Sequence, residues 1–121
     1  MSKAKIIVHI AYDQTLMFTR ATLLQRHGFE VISVMGNEVA LDTLHPGAHY
    51  DLFLIGHAAP QEQRIEMAQW LKARYPGTTI LAINPPDHPQ LQGADFNVEL
   101  NGPETWLAMV SVVLSNTSGK A

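Results

Sequence analysis

Chemistry in this chain would have to come from few side chains, chiefly Asp13, His9, His45, His49, His57 and Asn84. His57 lies in the run Asp51-Leu-Phe-Leu-Ile-Gly56-His-Ala-Ala-Pro60, where an apolar stretch passes into a turn. An imidazole in that position is placed to take a proton or a phosphoryl group, although the plainer reading is a turn histidine just past a strand. His45 and His49 have the spacing of two helical metal ligands, but Pro46 and Gly47 between them forbid the helix, so no metal site is expected. His9 sits inside an apolar run and reads as a neutral, hydrogen-bonded core residue. There is no cysteine to act as a thiolate and no G-x-S-x-G elbow. No G-x-G-x-x-G or G-x-x-x-x-G-K follows a strand to cradle phosphates. Neither enzymatic activity nor a bound cofactor is expected.

The elements that must position these residues are short β-branched runs alternating with helical patterns, the mark of a parallel sheet wrapped by helices. Strands are predicted at Ile6 to Ile10, Glu30 to Val34, Leu52 to Ile55, Thr79 to Ile83 and Asn97 to Leu100. The third and fourth are continuous enough to be buried on both faces. Helices are predicted from Gln14 to His27, stopped by Gly28, from Glu38 to Leu44, stopped by His45-Pro46-Gly47, from Gln61 to Arg74, and from Pro103 to about Leu114. The gap from Asn84 to Gly93 holds three prolines and is too short for a full helix. Residues 115–121 read as a frayed polar tail after a single domain spanning 1–114. Five strands in this setting predict a flavodoxin-like, doubly wound sheet of order 2-1-3-4-5 with its fourth helix shortened or absent.

Composition bounds the function. A chain of 121 residues with 46% apolar content can bury one core. Its net charge of -3, with no lysine or arginine cluster, gives no footprint for nucleic acid. No apolar run approaches the roughly 18 residues of a membrane span, and polar His9 and Asp13 come too early for a signal peptide, so a soluble cytoplasmic protein is expected.

Taken in order, Gln25-Arg-His-Gly-Phe-Glu-Val31, Asp51 to Pro60, Tyr75-Pro-Gly-Thr-Thr-Ile80 and Gly93-Ala-Asp95 resemble the junctions and active-site strand of response-regulator receiver domains, the CheY-like superfamily. The resemblance covers nearly the whole chain and implies a phosphorelay role in two-component signal transduction. It also implies where the chemistry should be. The acidic pair that holds Mg²⁺ in that family falls on Ala11 and Tyr12, with Asp13 at a third, often acidic position. The phosphoacceptor aspartate falls on Gly56, the phosphoryl-sensing hydroxyl on Asn84, and the lysine of the fifth strand on Leu100. Nucleophile, metal ligands and lysine are lost together, so the resemblance implies a pseudo-receiver that acts by protein–protein interaction without aspartyl phosphorylation.

Its length leaves no room for an output domain, so a stand-alone receiver is expected. The implied partner is a histidine kinase or another regulator, or a second copy of the chain. Trp106, Leu107, Met109, Val110, Val112, Val113 and Leu114 wrap apolar surface around more of the last helix than one core stripe needs. The excess either packs on the shortened Asn84 to Gln92 connection or, with the fifth strand, forms an interface through Trp106, Met109 and Val113. Two alternatives remain: a small-molecule pocket bounded by Asp13, Gly56, His57 and Asn84, or an atypical phosphorelay receiver using His57.

Overall fold

Residues rich in Val, Ile and Leu form strands here because both faces of the sheet are covered, so apolar side chains need not alternate with polar ones. The computed structural model describes residues 4–118. In chain order the elements are β1 (Ile6–Ala11), α1 (Gln14–Arg26), β2 (Glu30–Met35), α2 (Gly36–Thr43), β3 (Leu52–Ile55), α3 (Gln61–Arg74), β4 (Thr79–Asn84), β5 (Phe96–Glu99) and α4 (Pro103–Ser118). All strand pairs are parallel, in the order β2-β1-β3-β4-β5. The predicted flavodoxin-like, doubly wound fold is therefore the observed one, and no helix lies between β4 and β5. Among the described residues no helix is long and apolar enough to cross a membrane.

Two apolar layers flank the sheet. On one side Ile7, Leu52, Leu54, Leu81, Ile83 and Val98 pack with Leu24 of α1 and with Trp106, Val110, Val113 and Leu114 of α4. On the other, Val8, Ile10, Phe53, Ile55, Ile80 and Ala82 pack with Ala40 of α2 and with Met67, Ala68 and Leu71 of α3. Trp106 and Val113 are only 2% and 4% exposed, which corrects the expectation that they form an outward interface. A helix lying across both the sheet and α1 needs a wide buried stripe, and these residues fill it. The apolar anchor of the β4–β5 connection, Leu91, is buried in the opposite layer, against α3, and so is not covered by the last helix. What α4 leaves outside is Val112, at 53% exposure, with Met109 partly buried. The helix also continues to Ser118, past the predicted end at Leu114, while 119–121 of the predicted tail lie outside the described residues.

Local signals set the register. Gly28, at φ +89°, takes the left-handed turn that ends α1, and the Phe29 N–H donates back to the Leu24 carbonyl at 3.2 Å. Two aspartates repeat one device at strand starts. Asp51, before β3, accepts from the Ile6 N–H at 2.8 Å, and Asp95, before β5, accepts from the Ile80 N–H at 2.8 Å and from Lys72 Nζ at 2.6 Å. Burial would raise the Asp51 pKa, but the Ile6 N–H, His49 and Lys5 outweigh it and hold the carboxyl below its ordinary value. His49, 2.8 Å from Asp51, thus serves the strand start.

The turn Pro85-Pro86-Asp87-His88 closes with the His88 N–H on the Pro85 carbonyl at 3.3 Å and places Asp87 at φ 66°. That conformation favours glycine at the third turn position. Asp87→Gly is expected to raise stability by about 0.5 kcal/mol, the left-handed penalty less the added freedom of glycine in the unfolded chain. A lower midpoint in urea unfolding would show that the Asp87 side chain holds the turn.

Candidate functional site

Parallel strands carry all their carboxyl ends to one edge of the sheet, and that edge collects the residues singled out from the sequence. Ala11 closes β1 and is buried, offering no ligand atom. The neighbouring Tyr12 donates its hydroxyl to Asn37 Oδ1 at 2.7 Å, and Asn37 Nδ2 donates to the Gln63 carbonyl at 2.9 Å. Burial pushes the Tyr12 phenol up to about 12, against the opposing pull of the nearby Arg64 charge. Asp13 is exposed and works as the N-cap of α1, accepting from the Leu16 N–H at 2.9 Å. Gly56 follows β3, and its N–H donates to the Ile10 carbonyl at 2.9 Å. Leu100 reaches the edge through its backbone, its N–H donating to the Asn84 carbonyl at 2.8 Å, while its side chain joins the α1/α4 layer.

Two arginines, neither found by the sequence reading, occupy this edge. Arg64 of α3 is 1% exposed, and its guanidinium ties the strand ends together. Nε donates to the Gly56 carbonyl at 2.7 Å, Nη2 to the Ile83 carbonyl at 2.7 Å and to Asn84 Oδ1 at 2.9 Å, and Nη1 to Gln61 Oε1 at 3.1 Å. Asn84 passes the chain onward, donating through Nδ2 to Asn97 Oδ1 at 2.8 Å, which also accepts from the Leu91 N–H at 2.8 Å. Arg20 of α1 is 3% exposed and lies over the Trp106 ring, 5.8 Å from its centroid. A Cβ built on Gly56 would stand 3.3 Å from Arg20 Nη1 and 3.3 Å from the Ile10 carbonyl oxygen. The space that a side chain at Gly56 would enter is therefore bordered by a cation. Burial, offset in part by the Asp13 charge, draws the Arg20 pKa down to about 10.

A signal for both was present in the helical spacing. Arg64, Met67, Ala68 and Leu71 form one buried stripe of α3, and Arg20 with Leu24 forms that of α1, so each arginine holds a place where an apolar residue is usual.

His57 is half-buried, with Nδ1 3.2 Å from Arg20 Nη2. A guanidinium only donates, so Nδ1 accepts and the ring hydrogen is assigned to Nε2. Burial, then the charges of Arg20 and Arg64, push the His57 pKa below its ordinary value, with Asp13 opposing. His9 corrects an expectation. It is fully buried and neutral, its pKa drawn down to about 3 by burial and by Arg20, but neither ring nitrogen has a hydrogen-bond partner among the described residues. His9 lies on the strand between Ile7 and Ala11, and Leu54 is its partner in register on β3.

The Mg²⁺ implied by the receiver resemblance does not fit this edge. A hard cation takes several oxygens, carboxylates above all, and here stand Ala11, Tyr12 and two guanidinium groups. Among the described residues no three His, Asp or Glu side chains gather as a metal cluster.

Solved structures share this architecture. A CheY-like receiver domain protein of Methanospirillum hungatei matches with a TM-score of 0.82 at 16% identity, covering 98% of this chain and 100% of its own. The response regulator TrrA of Thermotoga maritima, solved in complex with Mg²⁺ and BeF, matches with a TM-score of 0.77 at 19% identity, covering 91% of this chain and 98% of its own. The chemotaxis response regulator CheY4 of Vibrio cholerae matches with a TM-score of 0.77 at 19% identity, covering 92% and 99%. No protein-family model matches the sequence, and neither does any curated protein. The fold is that of CheY-like response-regulator receiver domains.

Proposed function

We propose that this chain is a receiver-like signalling module that acts through protein–protein contact and takes no phosphoryl group at its third strand. The observation that carries the reading is the replacement of the acceptor position by Gly56, with Arg20 Nη1 only 3.3 Å from where its Cβ would be. Phosphoryl transfer to a receiver needs a carboxylate nucleophile with a cation-binding acidic pair beside it, and this edge has the opposite sign. His57 is a poor substitute acceptor, because its Nδ1 already takes a hydrogen bond from Arg20. The receiver fold of the structural neighbours supports a place in signal transduction, with a histidine kinase, another regulator or a second copy as partner. The contact surface assigned in this reading is α4 with β5, where Val112 and Phe96 are exposed and Met109 is partly so, although Phe18 of α1 and Val39 and Leu41 of α2 are exposed as well.

The test is a Mg²⁺ titration followed by backbone amide shifts, and intact mass after incubation with acetyl phosphate and Mg²⁺. No saturable shift at Gly56, His57 or Asn84 and no phosphoryl adduct are expected. A covalent adduct, or Mg²⁺ saturation at those amides, would overturn the reading.

A further inference from the structure

Two guanidinium groups are buried within reach of Gly56, and no carboxylate lies within ion-pair distance of either among the described residues. Charges withdrawn from water this far are normally paired. Arg64 solves the problem with neutral acceptors, since all three of its nitrogens donate to carbonyl or amide oxygens. Arg20 does not. One contact to the His57 ring is its only hydrogen bond among the described residues, so Nε and Nη1 have no protein acceptor, and neither is among the fully buried unpartnered atoms, which leaves both open to solvent or a ligand. Asp13, the nearest acid to act on it, is exposed and engaged in capping α1.

We propose that Arg20 and His57 form a binding site for a small free oxyanion of the phosphate or sulfate type, seated beside Gly56. Three features converge on this chemistry. The unmatched donors of Arg20 supply charge-assisted hydrogen bonds, the kind that favours oxyanions over chloride. His57, with Nδ1 already accepting, keeps Nε2–H as a further donor at the half-buried rim. Arg64 adds a further positive charge without a carboxylate partner at the same glycine, to whose carbonyl it is bonded. Glycine keeps the Arg20 Nη1 edge unobstructed, because a Cβ at Gly56 would press on it at 3.3 Å. Size is limited by the burial of Arg20, which excludes a bulky ligand from direct contact. Such an anion would bind reversibly, so this inference stands apart from the question of covalent phosphorylation.

Inorganic phosphate, titrated at constant ionic strength against sodium chloride and followed by amide shifts, tests it. Saturable shifts centred on Gly56 and His57 are expected, with affinity falling about tenfold or more in Arg20→Gln and less in His57→Ala. Lys72→Gln, remote from the edge, should bind phosphate as the wild type does. Shifts equal to those in chloride, or phosphate binding retained in Arg20→Gln, would overturn the site. Should Arg20→Gln not fold, Arg20→Lys and His57→Ala carry the test, and unchanged affinity in both overturns it. Phosphoserine titrated in parallel separates a free ion from a phosphate carried by another molecule. Binding no tighter than phosphate is expected, and much tighter binding overturns the free-ion assignment.

Discussion

His9→Leu is expected to stabilise the protein at neutral pH and to do so increasingly as the solution is acidified. At pH 7 the gain should be about 1–3 kcal/mol, because two buried ring nitrogens without partners are exchanged for a side chain that needs none. The pH dependence follows from the pKa. In the unfolded chain the imidazole takes up its proton near pH 6.5, whereas in the folded chain burial and the Arg20 charge delay this to about 3. Between these values the unfolded state binds one more proton, so wild-type stability falls as pH falls, by about 1.4 kcal/mol per unit. His57, also shifted down, adds a smaller loss in the same direction. The His9 loss runs on to about pH 3, where the carboxylates protonate as well, so the interval from pH 6.5 to about 5 isolates the histidines. Urea unfolding across that interval should show the variant's profile markedly flatter than the wild type's. Parallel profiles would mean that His9 finds a hydrogen bond or a proton in the folded protein.

The second large effect is a comparison at Gly56. Gly56→Asp is expected to be more stable than Gly56→Asn by about 2 kcal/mol at pH 7, since the two side chains share shape and differ only in the charge offered to Arg20 and Arg64. Crowding against the Ile10 carbonyl at 3.3 Å burdens both equally, and Gly56 is not among the glycines at positive φ, so neither carries left-handed strain. The cationic neighbours should hold the new carboxyl below the ordinary aspartate value. The advantage is therefore complete above about pH 4 and is lost as pH falls through the lowered value. Placing an aspartate there should not bring phosphorylation, because the new carboxylate would be paired with guanidinium, and Ala11, Tyr12 and Leu100 stand where the receiver resemblance implies metal ligands and lysine. Intact mass with acetyl phosphate and Mg²⁺ checks this, and an adduct on Gly56→Asp would show that the edge still assembles a working acceptor site. Equal stability of the two variants would place Arg20 farther from the site than the geometry puts it.

The strands were legible because continuous Val, Ile and Leu runs such as Leu52 to Ile55 are unusual outside a sheet covered on both faces. The missing helix was legible in the prolines between Asn84 and Gly93. Helix ends were read less well. The sequence offers no strong stop after Leu114, and polar residues there allowed either a tail or the further helical turn that is observed. Trp106 was misjudged because excess apolar surface on a helix does not say how many neighbours it has, and here the sheet and α1 absorb it. The edge that gathers Ala11, Gly56 and Asn84 was readable from the strand ends. Its charge was not, because Arg20 and Arg64 approach from the faces of α1 and α3, and only their place on buried helical stripes marks them as anything but surface arginines.

The bonds of Arg64 have a mechanical consequence. By holding the carbonyls of Gly56 and Ile83 and, through Asn84 and Asn97, the backbone of Leu91, this one side chain rivets β3, β4, β5 and the β4–β5 connection into a single block. Loops at this end of a doubly wound sheet ordinarily supply the motion that ligand binding uses. Here the end is stiffened from within, and under the function proposed above information would pass as a fixed shape presented to a partner, a template more than a lever.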